Sequence, residues 1–309
     1  MSALEQARSH FQAGTFGKAH DEAVAGLEGS PDDVELLRLA GRAGAETGSN
    51  DAVEHLRKVT EIEPDSGDAW RDLADALAAE GRTDEANDAF RRVLEIEPDD
   101  EVALTALGHT AFERGERDEG ISILERVAGN IPGASTAAIS LVDMYRTLGQ
   151  PAEALTAARK IAEAAPERPL AHLDVAELAL ETGDPDEAAE AFARLRDVLE
   201  QPEGQVASLQ GAIKAELARE QPERALELAR EASAIDSHGR TAGVLAYLES
   251  ELGAEETPGE AVARGATMIF IEAQEAPPTR AEAEALLDAT LADLRRELLD
   301  QADQGEPNG

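Results

Sequence analysis

Apolar residues along this chain follow helical spacing, in blocks of near-constant length. Residues 67–100, GDAWRDLADALAAEGRTDEANDAFRRVLEIEPDD, show the pattern most clearly. Trp70, Leu73, Ala74 and Leu77 stand at i, i+3, i+4 and i+7 on one face of a first helix, and Ala86 and Phe90 mark the inner face of a second. Gly81 between them predicts a left-handed residue that closes the first helix, and Pro98 stops the second. The block recurs. Proline returns at Pro31, Pro64, Pro98, Pro132 and Pro166, at intervals of 33, 34, 34 and 34 residues. A small residue stands twelve positions before each proline (Ala19, Ala52, Ala86, Gly120, Ala154), and Ala188 continues the series. A glycine precedes most of these by five positions, as Gly14, Gly81, Gly115, Gly149 and Gly183.

The other copies keep the pattern with gaps. Residues 101–134 supply Leu104, Leu107, Gly108, Ala111 and Leu124; residues 135–168 supply Ala138, Leu141, Tyr145 and Ala154. Residues 169–202 supply Val175, Ala176, Ala188 and Phe192, with the terminal proline displaced to Pro202. Residues 33–66 carry Leu36, Leu39, Ala40, Ala43, Ala52 and Leu56, and residues 1–32 are a degenerate first copy. Trp70-x2-Leu73-Ala74-x2-Leu77, then Ala86-x3-Phe90, then Pro98, resembles the tetratricopeptide repeat of 34 residues. The resemblance implies an all-α fold: a right-handed α-solenoid of antiparallel helix pairs with a C-terminal capping helix. Small residues at the Ala74 and Ala86 positions let helix axes approach, and Trp70, Phe90, Tyr145 and Phe192 fill the remaining gaps. Asp184-Pro185 reads as N-cap and first helical residue, with Gln150-Pro151 a weaker version.

Farther along, Gln221-Pro222 and Ala225 match Gln150-Pro151 and Ala154 at an offset of 71 rather than 68, so three extra residues near 201–204 predict an enlarged loop. A seventh pair is expected over 206–237 and an atypical pair over 239–274, with helices near 239–252 and 258–274. A capping helix is expected over 280–301, presenting Leu286, Leu287, Leu291, Leu294 and Leu298 on one face. Those leucines are expected to cover Met268-Ile269-Phe270-Ile271. Residues 303–309 read as a disordered tail, and 1–302 as one solenoid.

Charge narrows the partners. Of 309 residues, 65 are acidic and 28 basic, a formal charge of −37, which argues against nucleic acid or an anionic membrane surface as partner. Only four basic residues are lysine (Lys18, Lys58, Lys160, Lys214). Such a surface fits a salt-rich cytoplasm, where screening suppresses self-repulsion; a high-GC genome that favours Arg and Ala codons is the alternative. The opening MSALEQARSHFQAG has neither a basic nor an apolar segment of a secretory signal, and no apolar run approaches the roughly 20 residues of a membrane span. A cytoplasmic protein without membrane insertion is expected.

Candidate chemistry is sparse. The absence of cysteine removes disulfides, thiolate nucleophiles and Cys-ligated metals. None of His10, His20, His55, His109, His172 and His238 forms a zinc-protease motif, and His109 and His172 lie two repeats apart, so no metal is expected. Gly14-Thr15-Phe16-Gly17-Lys18 lacks the spacing of a phosphate loop. No catalytic residue and no cofactor emerges, and the chain reads as a non-enzyme.

What remains is surface. The resemblance implies that positions 2, 5, 9 and 12 of each first helix face a concave groove. Here these include Arg71, Asp75, Thr105, His109, Phe112, Ile139, Asp143, Arg146, Leu173, Glu177 and Leu180. Apolar members beside sparse charges suit a protein or peptide partner. The family's chaperone-tail subclass uses Lys, Asn and Arg at such positions; only Arg71 and Arg146 are present here, which argues against that ligand. The expected function is a non-catalytic scaffold. The alternatives are a chaperone-like or regulatory subunit of a larger assembly, and an enzyme with a site in residues 236–309.

Overall fold

The computed structural model describes residues 2–130, 136–253 and 277–305, and every regular element among them is a helix. The repeat period reads as one run over 1–302; the contacts gather the chain into two compact units, Met1–Ile131 and Pro132–Gly309. The first holds four pairs: α1 (Ala3–Gln12) with α2 (Phe16–Leu27), α3 (Val34–Thr47) with α4 (Ala52–Ile62), α5 (Gly67–Ala79) with α6 (Thr83–Ile96), and α7 (Glu101–Glu113) with α8 (Arg117–Asn130). The second holds α9 (Thr136–Thr147) with α10 (Pro151–Ala164), α11 (Pro169–Thr182) with α12 (Pro185–Val198), and α13 (Pro202–Ala218) with α14 (Pro222–Ile235). It also holds α15 (Ala242–Leu252) and the long α16 (Arg280–Gly305). Each helix packs on its sequence neighbour within its unit, the arrangement of an α-solenoid.

Local chemistry fixes the helix ends. Ser66 Oγ accepts from Ala69 N at 3.2 Å, Asp100 Oδ1 from Ala103 N at 2.8 Å and Asp184 Oδ1 from Glu187 N at 3.1 Å. Each such cap is worth about 1 kcal/mol. Gly81, Gly115, Gly149 and Gly183 all have positive φ at the turn within their pair. At the equivalent place in the seventh pair Glu220 adopts φ 57°, a left-handed conformation that costs roughly 1–2 kcal/mol for a residue with a Cβ.

A second recurring device was invisible in the residue types. Trp70 Nε1 donates to the Pro64 carbonyl at 2.9 Å, and His172 Nε2 to the Pro166 carbonyl at 2.7 Å. Gln205 Nε2 likewise donates to the Leu199 carbonyl at 2.9 Å. In each case a side chain in the first turn of a pair ties back to the carbonyl six residues earlier, where the preceding repeat ends. His172, buried in α11, is thereby accounted for as an anchor.

Packing within a pair depends on small residues. Leu73, Ala74, Leu77, Ala86, Phe90 and Val93 form one buried cluster with Val53, Leu56 and Ala103 from the adjoining pairs. In α13 a Cβ added to Gly211 would lie 2.2 Å from Phe192, so the aromatic ring occupies the space that glycine leaves.

Two expectations are corrected here. The three extra residues near 201–204 enlarge no loop: α12 ends at Val198 and Pro202 begins α13, which is 17 residues long. Proline at the first helical position needs no amide hydrogen bond, so Pro202 starts a helix rather than stopping one. The capping helix runs on to Gly305, beyond both 301 and the start of the expected tail at 303. Its presumed target Met268–Ile271 and the helix expected over 258–274 lie outside the described residues. Among the described residues, α16 packs on α13, α15 and α11.

Candidate surfaces for partner binding

In each unit the first helices of successive pairs lie side by side, α1 on α3 and α3 on α5 in the first, α11 on α13 in the second. Their shared face is where the groove residues were expected.

In the first unit this face is a ladder of charges joining neighbouring repeats. Arg38 of α3 donates to Asp72 of α5 at 2.8 Å, with Arg42 3.7 Å from the same carboxylate and over the Phe11 ring at 5.1 Å. Arg71 of α5 donates to Asp100 at 2.6 Å and to Asp68 at 2.7 Å. Asp100 thus caps α7 and pairs with the preceding repeat at once. Asp75 is exposed. The surrounding protein and the neighbouring Asp72 carboxylate push its pKa up to about 6, against the pull of Arg71 and Arg42. His109 is exposed and Phe112 half-buried, its backbone approached closely by Gly120 of α8. Thr105 is only 8 % exposed and presents almost no surface.

In the second unit the corresponding face is occupied by α16. Leu287, Leu291, Leu294 and Leu298 are buried, and Ala283 and Leu287 join the cluster of Leu209, Ile213, Leu217, Val244, Tyr247 and Leu248. Arg295 reaches from α16 to α11, donating to Asp174 at 2.7 Å and to Glu177 at 2.5 Å. Arg146 of α9 approaches the same two carboxylates at 3.3 and 3.4 Å. Burial raises the Asp174 pKa above the ordinary carboxylate range, while Arg295 and then Arg146 oppose that rise. Lys214 of α13 pairs with Asp288 of α16. A cavity of about 580 Å³ remains beside the helix, lined in part by Leu180, Leu217 and Leu291.

The structure therefore brings Arg146, Glu177 and Leu180 together around one helix. Leu173, 0 % exposed, belongs to the core and offers nothing to a partner. Asp143 is exposed and Ile139 half-buried on α9. The residues that sequence reasoning missed are Asp174 and Arg295. Asp174 gave a signal, a carboxylate amid the apolar run of α11; Arg295 gave none, since its partners lie more than a hundred residues away. The arrangement holds a guanidinium between two carboxylates beside leucines, joined by charge-assisted hydrogen bonds.

Known proteins share this architecture. Sequence profiles of the tetratricopeptide repeat match residues 49–101, 77–142 and 145–213. The C-terminal part of a repeat-containing protein of this kind from Cytophaga hutchinsonii is 12 % identical with a TM-score of 0.61, over 77 % of this chain and 98 % of that one. The type IV pilus biogenesis factor PilW is 18 % identical with a TM-score of 0.52, over 66 % and 94 %. A tetratricopeptide repeat protein from Parabacteroides merdae ATCC 43184 is 14 % identical with a TM-score of 0.51, over 79 % and 96 %. Curated proteins give no significant match.

Proposed function

The chain belongs to the tetratricopeptide repeat family, and from that premise we propose that it is a non-catalytic cytoplasmic scaffold holding a protein or peptide segment against its first-helix face. The observation that carries this reading is α16. In the second unit a helix of the chain itself lies on that face, seated by leucines and by Arg295 between Asp174 and Glu177. A surface that accommodates one amphipathic helix has the chemistry to take another. On the first unit the equivalent face offers Asp75, His109 and Phe112, flanked by the Arg71 and Asp72 pairs. Its excess of carboxylates favours a segment that carries arginine or lysine among apolar residues.

The test is Phe112→Ala, with binding to the co-purified partner measured by calorimetry alongside thermal melting. The reading expects affinity to fall by about 2 kcal/mol, a hot-spot loss, at an unchanged Tm. Arg91→Ala serves as the control, because Arg91 is 57 % exposed and paired with Asp88 on α6. Arg92 on the same helix stacks over the Trp70 ring and is unsuitable. An early melt would place Phe112 in the core, and unchanged binding would place the site elsewhere.

A further inference from the structure

Histidines one repeat apart in sequence, one on α2 and one on α4, come together beside Gly44 of α3. His20 lies on α2, Asp51 at the start of α4, and His55 one turn into α4. His20 Nε2 is 3.0 Å from Asp51 Oδ1, His55 Nδ1 is 3.9 Å from Asp51 Oδ2, and the two rings stand 6.4 Å apart between centroids. We propose that His20, Asp51 and His55 form a binding site for a divalent transition-metal ion, zinc first among them, that clips α2 to the first turn of α4.

Three observations carry this beyond an ordinary histidine–aspartate hydrogen bond. Asp51 occupies the N-cap of α4, yet its carboxylate makes no cap hydrogen bond and turns instead toward His20 and Ser49 Oγ, which donates to it at 2.5 Å. His55 Nδ1 is enclosed and has no hydrogen-bond partner, an uncommon state for a buried ring nitrogen that a metal–nitrogen bond would relieve. Space for the His20 ring is left by Gly44 of α3, where an added Cβ would stand 3.1 Å from His20 Cδ2.

The donor set suits the ion. All three ligand atoms lie within 4.8 Å of one another. Tetrahedral zinc with bonds near 2.1 Å needs donors about 3.4 Å apart, so small side-chain rotations bring them into place. Two imidazoles and one carboxylate fit zinc and its late transition-metal neighbours, and supply too few oxygens for calcium. Asp51, 40 % exposed, leaves a side open for a water as fourth ligand. His20 Nδ1 faces Asp21 Oδ1 at 3.7 Å, the outer carboxylate that commonly orients a ligating imidazole. Signs of this site were present in the sequence only as the repeat period, which makes residues about 34 positions apart neighbours.

The full chain is titrated with zinc chloride at high salt, with excess magnesium to saturate surface carboxylates. One zinc per chain is expected, with affinity at least tenfold weaker in His20→Ala and in His55→Ala and unchanged in His10→Ala. Wild-type protein provides a readout that needs no variant: the imidazole NMR signals of His20 and His55 should shift on zinc addition while those of His238 stay in place. A chain that retains no zinc, that binds it equally after loss of both histidines, or whose His20 and His55 signals do not move, overturns the site.

Discussion

Leu287→Ala tests how firmly the chain's own helix holds its groove. Leu287 is 0 % exposed and packs among Leu209, Ile213, Leu217, Val244, Tyr247 and Leu248. Truncating a leucine so enclosed costs roughly 2–5 kcal/mol. Four leucines of α16 are buried against the unit, each contributing about 1.5–3 kcal/mol, so one truncation weakens docking without abolishing it. At about 2.8 kcal/mol, opening of the helix becomes roughly 100-fold more frequent, since each 1.4 kcal/mol is a factor of ten. The assay is amide hydrogen exchange over residues 280–305, where protection should fall by that factor if α16 opens as a local unit. Leu299→Ala, at a position 44 % exposed on the same helix, should change protection by less than about twofold. Equal effects at Leu287 and Leu299, or no effect at either, would refute the docking of α16 on α13 and α15.

Other perturbations follow from packing and charge. Gly211→Ala should lower stability by about 1–3 kcal/mol, read from urea midpoints, because its Cβ would collide with the Phe192 ring. Asp75, with a folded pKa of about 6 against an ordinary aspartate value of 3.8, holds its proton more tightly when folded. Stability should therefore decline as pH rises from about 4 to 6, and Asp75→Asn should remove that decline; since solvent reaches the carboxylate, the gain near pH 7 should stay below about 1 kcal/mol. Dialysis to about 0.01 M salt, where the Debye length reaches roughly 30 Å, should reduce helicity and Tm if the −37 charge is an adaptation to salt. Unchanged circular dichroism would favour codon bias as its source.

Much of the fold could be read because its determinants are local. A glycine at positive φ, a proline at the first helical position and an alanine where helices touch each act within a few residues, so Gly81, Pro185 and Ala86 mark their places by type alone. The extra turn of α13 could not be read so. Three added residues are equally compatible with a longer loop or a longer helix, and the outcome depended on Pro202 serving as a start. Orientation of groove residues was harder still. Leu173 and Leu180 share one helix and one residue type, yet only the tertiary packing makes the first core and leaves the second partly open. Arg295 met Asp174 and Glu177 through a fold-back that no periodicity encodes.

The preference for arginine acquires a structural meaning when the ion pairs are placed on the repeats. Arg8–Glu35, Arg38–Asp72, Arg57–Glu85, Arg146–Asp174, Arg159–Glu187 and Arg196–Glu231 each join one repeat to the next, and Arg71 ties its repeat to Asp100 at the N-cap of α7. In a solenoid the interfaces between neighbours determine whether repeats unfold together. Arg159 shows why lysine is a poor substitute, since its Nε and a terminal nitrogen bind both oxygens of Glu187 at 2.6 and 2.5 Å. The exposed pairs among them, Arg8–Glu35, Arg57–Glu85 and Arg196–Glu231, contribute at most about 1 kcal/mol each and fade with salt. At high salt the apolar contacts around Phe90 and Phe192 therefore carry a larger share of the cohesion, while the arginines fix which carboxylate faces which repeat. Arg295 follows the same rule on a helix outside the repeats, taking Asp174 and Glu177 in the manner of a guanidinium from a neighbouring repeat.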